Sequence, residues 1–426
     1  MAGSQRVTVS QRLRPLLVKL VGADAPLRVE FWDGSVFGPA DAAARVVMRS
    51  PRALQRLVRS PGELGLGRAY VSGDLDIEGD VYAVLGLHRY RPDLRLGAGE
   101  WAAAVRAAAG IGALKPGRLP VVAEEARLHG RRHSRSRDAA AISHHYDVGN
   151  DFYRIVLGSS MTYSCAYFSS TEQSLDDAQR DKRELICRKL RLREGERLLD
   201  VGCGWGSLAV HAAKTRGVRV VGVTLSQPQA DLAAKRAAEA GVADLVEIRV
   251  QDERDVSDGP FDAIASVGMF EHVGAARLGE YFGHLHALLR RQGRLLNHGI
   301  SRPPGGRGSR FARRSFIDSF VFPDGELHEV GRVVSIMQDA GFEVRDVESL
   351  REHYALTLRN WVHNLEAQRD EAVRLAGEGR YRVWRLYMAA SAVNFEAGRT
   401  QVHQLLGVRS EGGESDLPLR RADTVL

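Results

Sequence analysis

The sequence predicts an α/β fold: a doubly wound, mostly parallel sheet in the larger C-terminal part, with a smaller α+β domain before it. Three observations carry this reading. From Arg197 onward strand-like and helix-like segments alternate, with strands over 197–201, 218–225, 245–251, 261–267 and 293–299 and helices over 207–215, 227–240 and 276–290. That is the rhythm of a parallel sheet covered on both faces. The first strand runs into Gly202-Cys-Gly-Trp-Gly206, where alternate glycines let the backbone turn sharply and a bound molecule come close. Residues 1–95 follow a different pattern, short amphipathic runs around a hairpin.

In order along the chain, helices are expected over Gln11–Val21, Ala40–Arg49 and Pro51–Arg59. Leu27-Arg-Val-Glu-Phe-Trp-Asp-Gly-Ser-Val-Phe37 alternates on both sides of Asp33-Gly34, a hairpin dipeptide. Glu63-Leu-Gly-Leu-Gly-Arg-Ala-Tyr70 is punctuated by glycine and leads towards acids. Residues 1–120 are therefore assigned to an accessory domain, and 121–140, with Arg131-Arg-His-Ser-Arg-Ser-Arg137, to an exposed basic linker. Residues 141–426 form the sheet domain, which opens with Ile142-Ser-His-His-Tyr-Asp-Val-Gly-Asn-Asp-Phe-Tyr153 and Met161-Thr-Tyr-Ser-Cys-Ala-Tyr-Phe168. Ser174 then caps a helix of about 20 residues ending near Leu192.

The chain has 426 residues, enough for two or three domains, and 44% hydrophobic residues, enough for a sizeable core. Its formal charge of +7 suits an anionic membrane surface or a nucleic acid, although it is modest over this length. The three cysteines, Cys165, Cys187 and Cys203, show no metal-ligand spacing and fit a reducing compartment. Lys19 interrupts the apolar run Leu16–Val21, and no stretch approaches the roughly 18 apolar residues of a membrane span. A cytoplasmic location is expected.

The G-x-G-x-G spacing departs from the dinucleotide fingerprint, and the next strand, Arg219–Thr224, ends without the acid that would hold a ribose. Both points argue against NAD and for S-adenosylmethionine in a class I methyltransferase sheet. Ligands of such sheets sit outside the carboxyl ends of the strands, where Gly202, Thr224, Asp252, Gly268 and His298 fall. Asp252 and Glu253 would hold the adenine, and Gln229 opens the helix after the second strand. Met269-Phe-Glu-His-Val273 and Asn297-His-Gly-Ile300 end later strands, so Glu271, His272 and His298 are expected at the mouth of one cleft. Taken alone, His272 reads more readily as a structural histidine.

His145-Tyr-Asp-Val-Gly-Asn-Asp-Phe152, Thr162-Tyr-Ser-Cys-Ala-Tyr-Phe168, Leu198-Leu-Asp-Val-Gly-Cys-Gly-Trp-Gly206, Val223-Thr-Leu-Ser226, Val267-Gly-Met-Phe-Glu-His-Val-Gly274 and Phe322-Pro-Asp-Gly325 occur in this order. Together they resemble the cyclopropane-fatty-acyl-phospholipid synthases and the related mycolic-acid and fatty-acid methyltransferases. Glu63–Tyr70 resembles the N-terminal domain of the long, phospholipid-acting members.

The resemblance implies methyl transfer from S-adenosylmethionine to a cis double bond in a membrane phospholipid acyl chain, through a carbocation deprotonated by bound bicarbonate. It implies a bicarbonate pocket of Cys165, Glu271, His298, the Ile300 backbone and Tyr354. The cofactor would meet Tyr163, Ser164, Asp200, Gly202, Gly204, Trp205, Gly206, Thr224, Leu225, Gln229, Asp252, Glu253 and Arg254. Ser391 stands where some members carry a cysteine, so no thiolate acts there.

Two products stay open, a cyclopropane or a methylene branch of the 10-methylene stearoyl type. Leu27–Gly34 resembles the 10-methylating subgroup and leans towards the branch. Expected partners are phospholipid acyl chains and the anionic inner face of the cell membrane, with peripheral contact through residues 1–95 and the basic loop Arg302–Arg314. Nucleic acid is not among them, while a homodimer and a separate reductase for a methylene product remain open. The rival readings are a silent lipid-binding protein, against which the intact glycine loop speaks, and a nucleic-acid methyltransferase, for which only the charge speaks.

Overall fold

A computed structural model of the chain describes residues 7–22, 27–87, 97–110, 119–135, 137–138, 148–305 and 315–421. The chain divides into two compact units, each discontinuous in sequence. The first comprises Met1–Ala126, Ser309–Val321 and Arg369–Val393; the second comprises Arg127–Gly308, Phe322–Gln368 and Asn394–Leu426. Continuous boundaries at 120 and 140 therefore do not follow these units, because two later segments fold with the first.

The first unit holds a four-stranded sheet of β1 (Leu27–Phe31), β2 (Val36–Phe37), β3 (Ala44–Met48) and β4 (Leu75–Gly79) in the order β2-β1-β3-β4. The expected hairpin forms, with Gly34 at φ +79° and the Phe31 N–H donating to Ser35 O at 3.0 Å. The helix expected over Ala40–Arg49 does not form. From Ala44 the pattern has period two, with Ala44, Val46 and Met48 buried and Arg45 exposed between Glu30 and Glu78 of the flanking strands. Pairing to β1 on one side and β4 on the other outweighs the helix propensity of the preceding alanines.

Helices Val9–Val21, Arg52–Arg59, Glu63–Val71, Val81–Leu85 and Ala98–Gly110 surround this sheet in the chain order. Gly67 is a close-approach position, since a Cβ there would lie 2.2 Å from the Phe316 ring. The later segment joins the unit through two buried arginines of helix Arg369–Glu396. Arg382 reaches Asp76 at 3.0 Å and Tyr70 O at 2.9 Å, and Arg385 reaches the Tyr70 hydroxyl at 3.1 Å and Ile77 O at 3.0 Å.

The second unit is built on β5 (Arg197–Val201), β6 (Arg219–Thr224), β7 (Val246–Val250), β8 (Phe261–Val267), β9 (Leu289–Arg302), β10 (His328–Glu329), β11 (Glu343–Ser349) and β12 (Gln401–Val408). The order is β11-β12-β9-β8-β5-β6-β7, with β10 beside β9. β5 to β9 pair in parallel, and β12 runs antiparallel to both neighbours. The doubly wound sheet is thus present, with strand and helix limits within a few residues of expectation.

Two apolar layers cover it. Leu199, Val201, Val223, Ile264 and Leu295 face Phe282, Leu285, Val333 and Met337, while Leu198, Val220, Ala265 and Leu296 face Ile186, Leu208 and Ala212. Ser174 caps helix Leu175–Lys189, accepting from Asp177 N at 3.1 Å. β5 neighbours both β6 and β8, so the strand order reverses there and opens a crevice at the carboxyl ends.

Candidate active site

The glycine loop lies in that crevice. Gly202, Gly204 and Gly206 have φ of +72°, +54° and +74°. A Cβ on Gly202 would sit 2.3 Å from Met269 Sδ, and one on Gly206 2.9 Å from Ala233 Cβ, whereas one on Gly204 would meet nothing within 4 Å. Gly204 therefore presents bare backbone to open space while its neighbours lock the loop. The Trp205 indole is buried, donates to Asn150 Oδ1 at 2.7 Å and lies 4.8 Å from the Tyr153 ring. It anchors the loop from behind.

At the end of β6 Thr224 Oγ1 donates to Gln229 Oε1 at 2.9 Å and accepts from Ser226 N at 3.2 Å, with Leu225 half-buried between. After β7 Asp252 caps the turn Glu253–Asp255 and accepts from Arg254 N at 3.0 Å and Arg254 Nε at 2.7 Å. Burial opposes the Asp252 charge, yet Arg254 holds that carboxyl below the usual range; burial and then Asp252 push Glu253 up. The Arg254 guanidinium is thus engaged by Asp252.

β8 and β9 supply the predicted proton-transfer groups. Glu271 is buried, its Oε1 accepts the Ile300 N–H at 2.7 Å, and its Oε2 has no hydrogen-bond partner. Burial pushes its carboxyl up to about 7, against the pull of the Ile300 bond. His298 is buried, with Nδ1 3.3 Å from the Gln404 amide nitrogen and Nε2 unpartnered. With Gln404 donating to Nδ1, the ring proton sits on Nε2. Burial, then Lys182, hold this imidazole neutral, well below its ordinary range.

Backbone bonds bring the other residues to the same place. Leu350 N donates to Val402 O at 2.9 Å, and Val402 pairs with Ile300. Leu350 O in turn accepts from Tyr354 N at 3.1 Å and from Cys165 Sγ at 3.6 Å. Burial raises the Cys165 pKa, so the residue is a neutral thiol engaged with carbonyls. The Tyr354 ring lies 4.7 Å from Phe395 and 6.0 Å from Trp361, which is 5.3 Å from Tyr163. Tyr163 also stacks on Phe322 at 6.4 Å, giving an aromatic wall. His272 is half-buried and neutral, lowered to about 4 by desolvation and then His133, and has the character of a structural residue.

The donor set fits both expected ligands. S-adenosylmethionine would find the open face of Gly204 and the buried, unpartnered Asp200 Oδ2. For a small oxyanion that accepts and passes a proton, Glu271 Oε2 and His298 Nε2 supply an acid-base group and a donor, both buried and unpartnered.

The segment 131–137 exposes Arg131, Arg132 and Arg135, yet it is anchored within the second unit. Arg132 Nε and Arg137 Nη2 meet the buried Asp324 carboxylate at 2.6 and 3.0 Å. Arg135 binds Asp255 at 2.8 Å through both terminal nitrogens, and His133 Nδ1 lies 3.2 Å from His272 O. Arg132 and Arg137 are thus engaged by the segment ahead of β10, and Arg135 and His133 by the segments that follow β7 and β8. Asp324→Ala should lower the melting temperature at neutral pH by several degrees, from an uncompensated pair worth about 2 kcal/mol after allowing for the exposure of Arg132. Burial opposes the Asp324 charge but the two arginines depress its pKa, so its contribution is present above the ordinary carboxylate range and lost as pH falls through the folded value. The difference between the proteins should shrink at about pH 3; equal melting at neutral pH would discard the staple.

Sequence reasoning missed Gln179 and Lys182, buried polar residues on helix Leu175–Lys189, and Asn297 and Gln404 beside His298. Their signal was weak: single polar residues in a helix or strand read as solvent-facing. Ser391 is buried on helix Arg369–Glu396, within the first unit. Residues 142–147 of the motif at His145 and residues 306–314 of the basic loop, including Phe311, lie outside the described residues.

Residues 133–405 match the family model described as mycolic acid cyclopropane synthetase, and residues 17–90 match a domain of unknown function. A probable fatty acid methyltransferase of Mycobacterium tuberculosis is 46% identical over 406 residues, covering 93% of this chain and 94% of that protein. A tuberculostearic acid methyltransferase of the same organism is 31% identical over 403 residues, covering 92% and 90%. The crystal structure of a mycolic acid cyclopropane synthase complexed with SAH and CTAB superposes with a TM-score of 0.60 at 34% identity, over 63% of this chain and 98% of that one.

Proposed function

We propose, because this chain belongs to the mycolic acid cyclopropane synthetase family, that its methyl transfer from S-adenosylmethionine to fatty acyl chains takes place at the cis double bond of a membrane phospholipid. The observation that carries this reading is the pair of buried, unpartnered groups, Glu271 Oε2 and His298 Nε2, one just after β8 and one on β9, in the sheet where β8 neighbours β5, whose loop holds Gly204. An alkene is a weak nucleophile, so its π-bond must be aligned with the sulfonium methyl away from water. The aromatic wall of Tyr163, Trp361 and Tyr354 suits a lipid chain and tolerates a developing cation. Bicarbonate bound there would supply a base of small size. Glu271 orients it by sharing a proton at Oε2, His298 donates from Nε2, and Cys165, Ile300 and Tyr354 complete the enclosure.

Loss of a proton from the added carbon gives a cyclopropane; a hydride shift before proton loss gives a methylene branch. Similarity over nine-tenths of both chains to a protein named as a tuberculostearic acid methyltransferase favours the branch, which a separate reductase would convert to a methyl group. Among the described residues no helix is long and apolar enough to cross a membrane, so the protein would take its substrate from the bilayer surface.

Mass spectrometry of phospholipid acyl chains from cells expressing the protein should show a species one CH2 heavier than a monounsaturated chain. Ozonolysis should cleave it at the exocyclic double bond; resistance to ozonolysis would assign the ring instead. No heavier chain, with the protein folded and S-adenosylmethionine supplied, would end the lipid reading.

A further inference from the structure

We propose that Lys182 and Asp200 form a two-ended receptor for the zwitterionic methionyl end of the cofactor, with Lys182 and Ser164 taking the carboxylate and Asp200 the α-ammonium. This rests on the methyltransferase reading and goes beyond it by assigning charge recognition to a residue on helix Leu175–Lys189. Lys182 is 2% exposed, and its Nζ lies 2.9 Å from Ser164 Oγ. Among the described residues no carboxylate comes within 4.0 Å of it.

Asp200 is also 2% exposed, and its Oδ2 has no hydrogen-bond partner. It sits on β5 next to the glycine loop, on the sheet face covered by helix Leu175–Lys189. The two groups feel each other's charge but do not form an ion pair.

A buried cation and a buried anion held apart are costly, since each has lost water without gaining an adjacent counter-charge. Burial pushes the Lys182 ammonium down to about 7 and the Asp200 carboxyl up to about 7, so each charged form is disfavoured until an opposite charge comes against it. A packing role alone would be met by an apolar side chain or by direct contact between the two. A ligand carrying both charges a few ångströms apart satisfies both ends, and an α-amino acid terminus is such a group.

The hydrogen-bond inventory agrees. An ammonium has three donors and one is used here. Because Ser164 Oγ accepts from Lys182, its own proton is free to be donated, and the ammonium strengthens it as a donor. The neighbouring polar residues have other tasks. Gln179 Nε2 donates to Ser164 O at 2.9 Å and Arg183 Nη1 to Thr162 Oγ1 at 3.1 Å, so they hold the segment that carries Tyr163 and Ser164 in place.

The test compares S-adenosylhomocysteine, which has the amino-acid end, with 5′-methylthioadenosine, which lacks it, by calorimetry on the full-length protein. Lys182→Met should weaken S-adenosylhomocysteine about 10- to 100-fold, the loss of a charge-assisted bond, and leave methylthioadenosine unchanged. Ser164→Ala, a milder change that keeps the ammonium, should weaken the first ligand several-fold and spare the second. Equal weakening of both ligands would make Lys182 a structural residue and overturn the proposal, as would unchanged affinity for S-adenosylhomocysteine. If Lys182→Met does not fold, the Ser164→Ala comparison decides. Failure of the wild type to bind either ligand would overturn the methyltransferase reading itself.

Discussion

Glu271→Gln is expected to reduce turnover by about 10²- to 10⁴-fold while S-adenosylhomocysteine still binds as to the wild type. The substitution is isosteric: the amide oxygen can keep the 2.7 Å bond from Ile300 N, so the strand ends should hold their positions. What disappears is the carboxyl oxygen Oε2, which is buried, unpartnered and able to share a proton. Because burial pushes this carboxyl up to about 7, the wild-type rate should rise with pH through that region as Glu271 ionises, and the variant should lack this limb. His298→Ala and Tyr354→Phe should have smaller effects on turnover. Wild-type turnover by Glu271→Gln at saturating cofactor would place the proton-accepting apparatus elsewhere.

Gly206→Ala should abolish measurable S-adenosylhomocysteine binding and lower the melting temperature. At φ +74° a Cβ costs about 1–2 kcal/mol, and here it would meet Ala233 Cβ at 2.9 Å and Ala233 Cα at 3.3 Å. Neither contact belongs to a flexible side chain, so the loop or helix Gln227–Glu239 must shift, adding about 1–3 kcal/mol. Gly204→Ala is the control. Its Cβ meets no protein atom within 4 Å, so it should stay near wild type in melting temperature yet weaken the cofactor it faces. Wild-type affinity in both variants would show that the loop is not the cofactor's cradle.

The sheet and much of the site were legible because their signals are local. Short apolar runs such as Arg197–Val201, glycine at Gly202 to Gly206 and the rule that ligands sit at carboxyl strand ends sufficed to single out Glu271 and His298. Ala40–Arg49 was misread because propensity is local while strand pairing is not: β3 is fixed by partners before and after it in sequence. The anchoring of 131–137 was not legible because Asp324, the partner of Arg132 and Arg137, lies nearly two hundred residues away. Lys182 was invisible for a third reason. Helix Leu175–Lys189 buries Gln179, Lys182 and Lys189 along with its apolar residues, and no periodicity distinguishes a functional buried lysine from a solvated one.

The interleaving of the two units has a consequence for biosynthesis. Met1–Ala126 leaves the ribosome while Arg369–Val393, which supplies Arg382 and Arg385 to β4 and to helix Glu63–Val71, is still untranslated. At roughly 5–20 residues per second the intervening stretch takes on the order of ten seconds or more to synthesise. Through that interval β4 lacks the guanidinium groups that bind its carbonyls at Leu75, Ile77 and Gly79, so its edge is open to pairing with other nascent chains. That edge closes only when Arg382 and Arg385, which follow the kink at Gly377, have emerged.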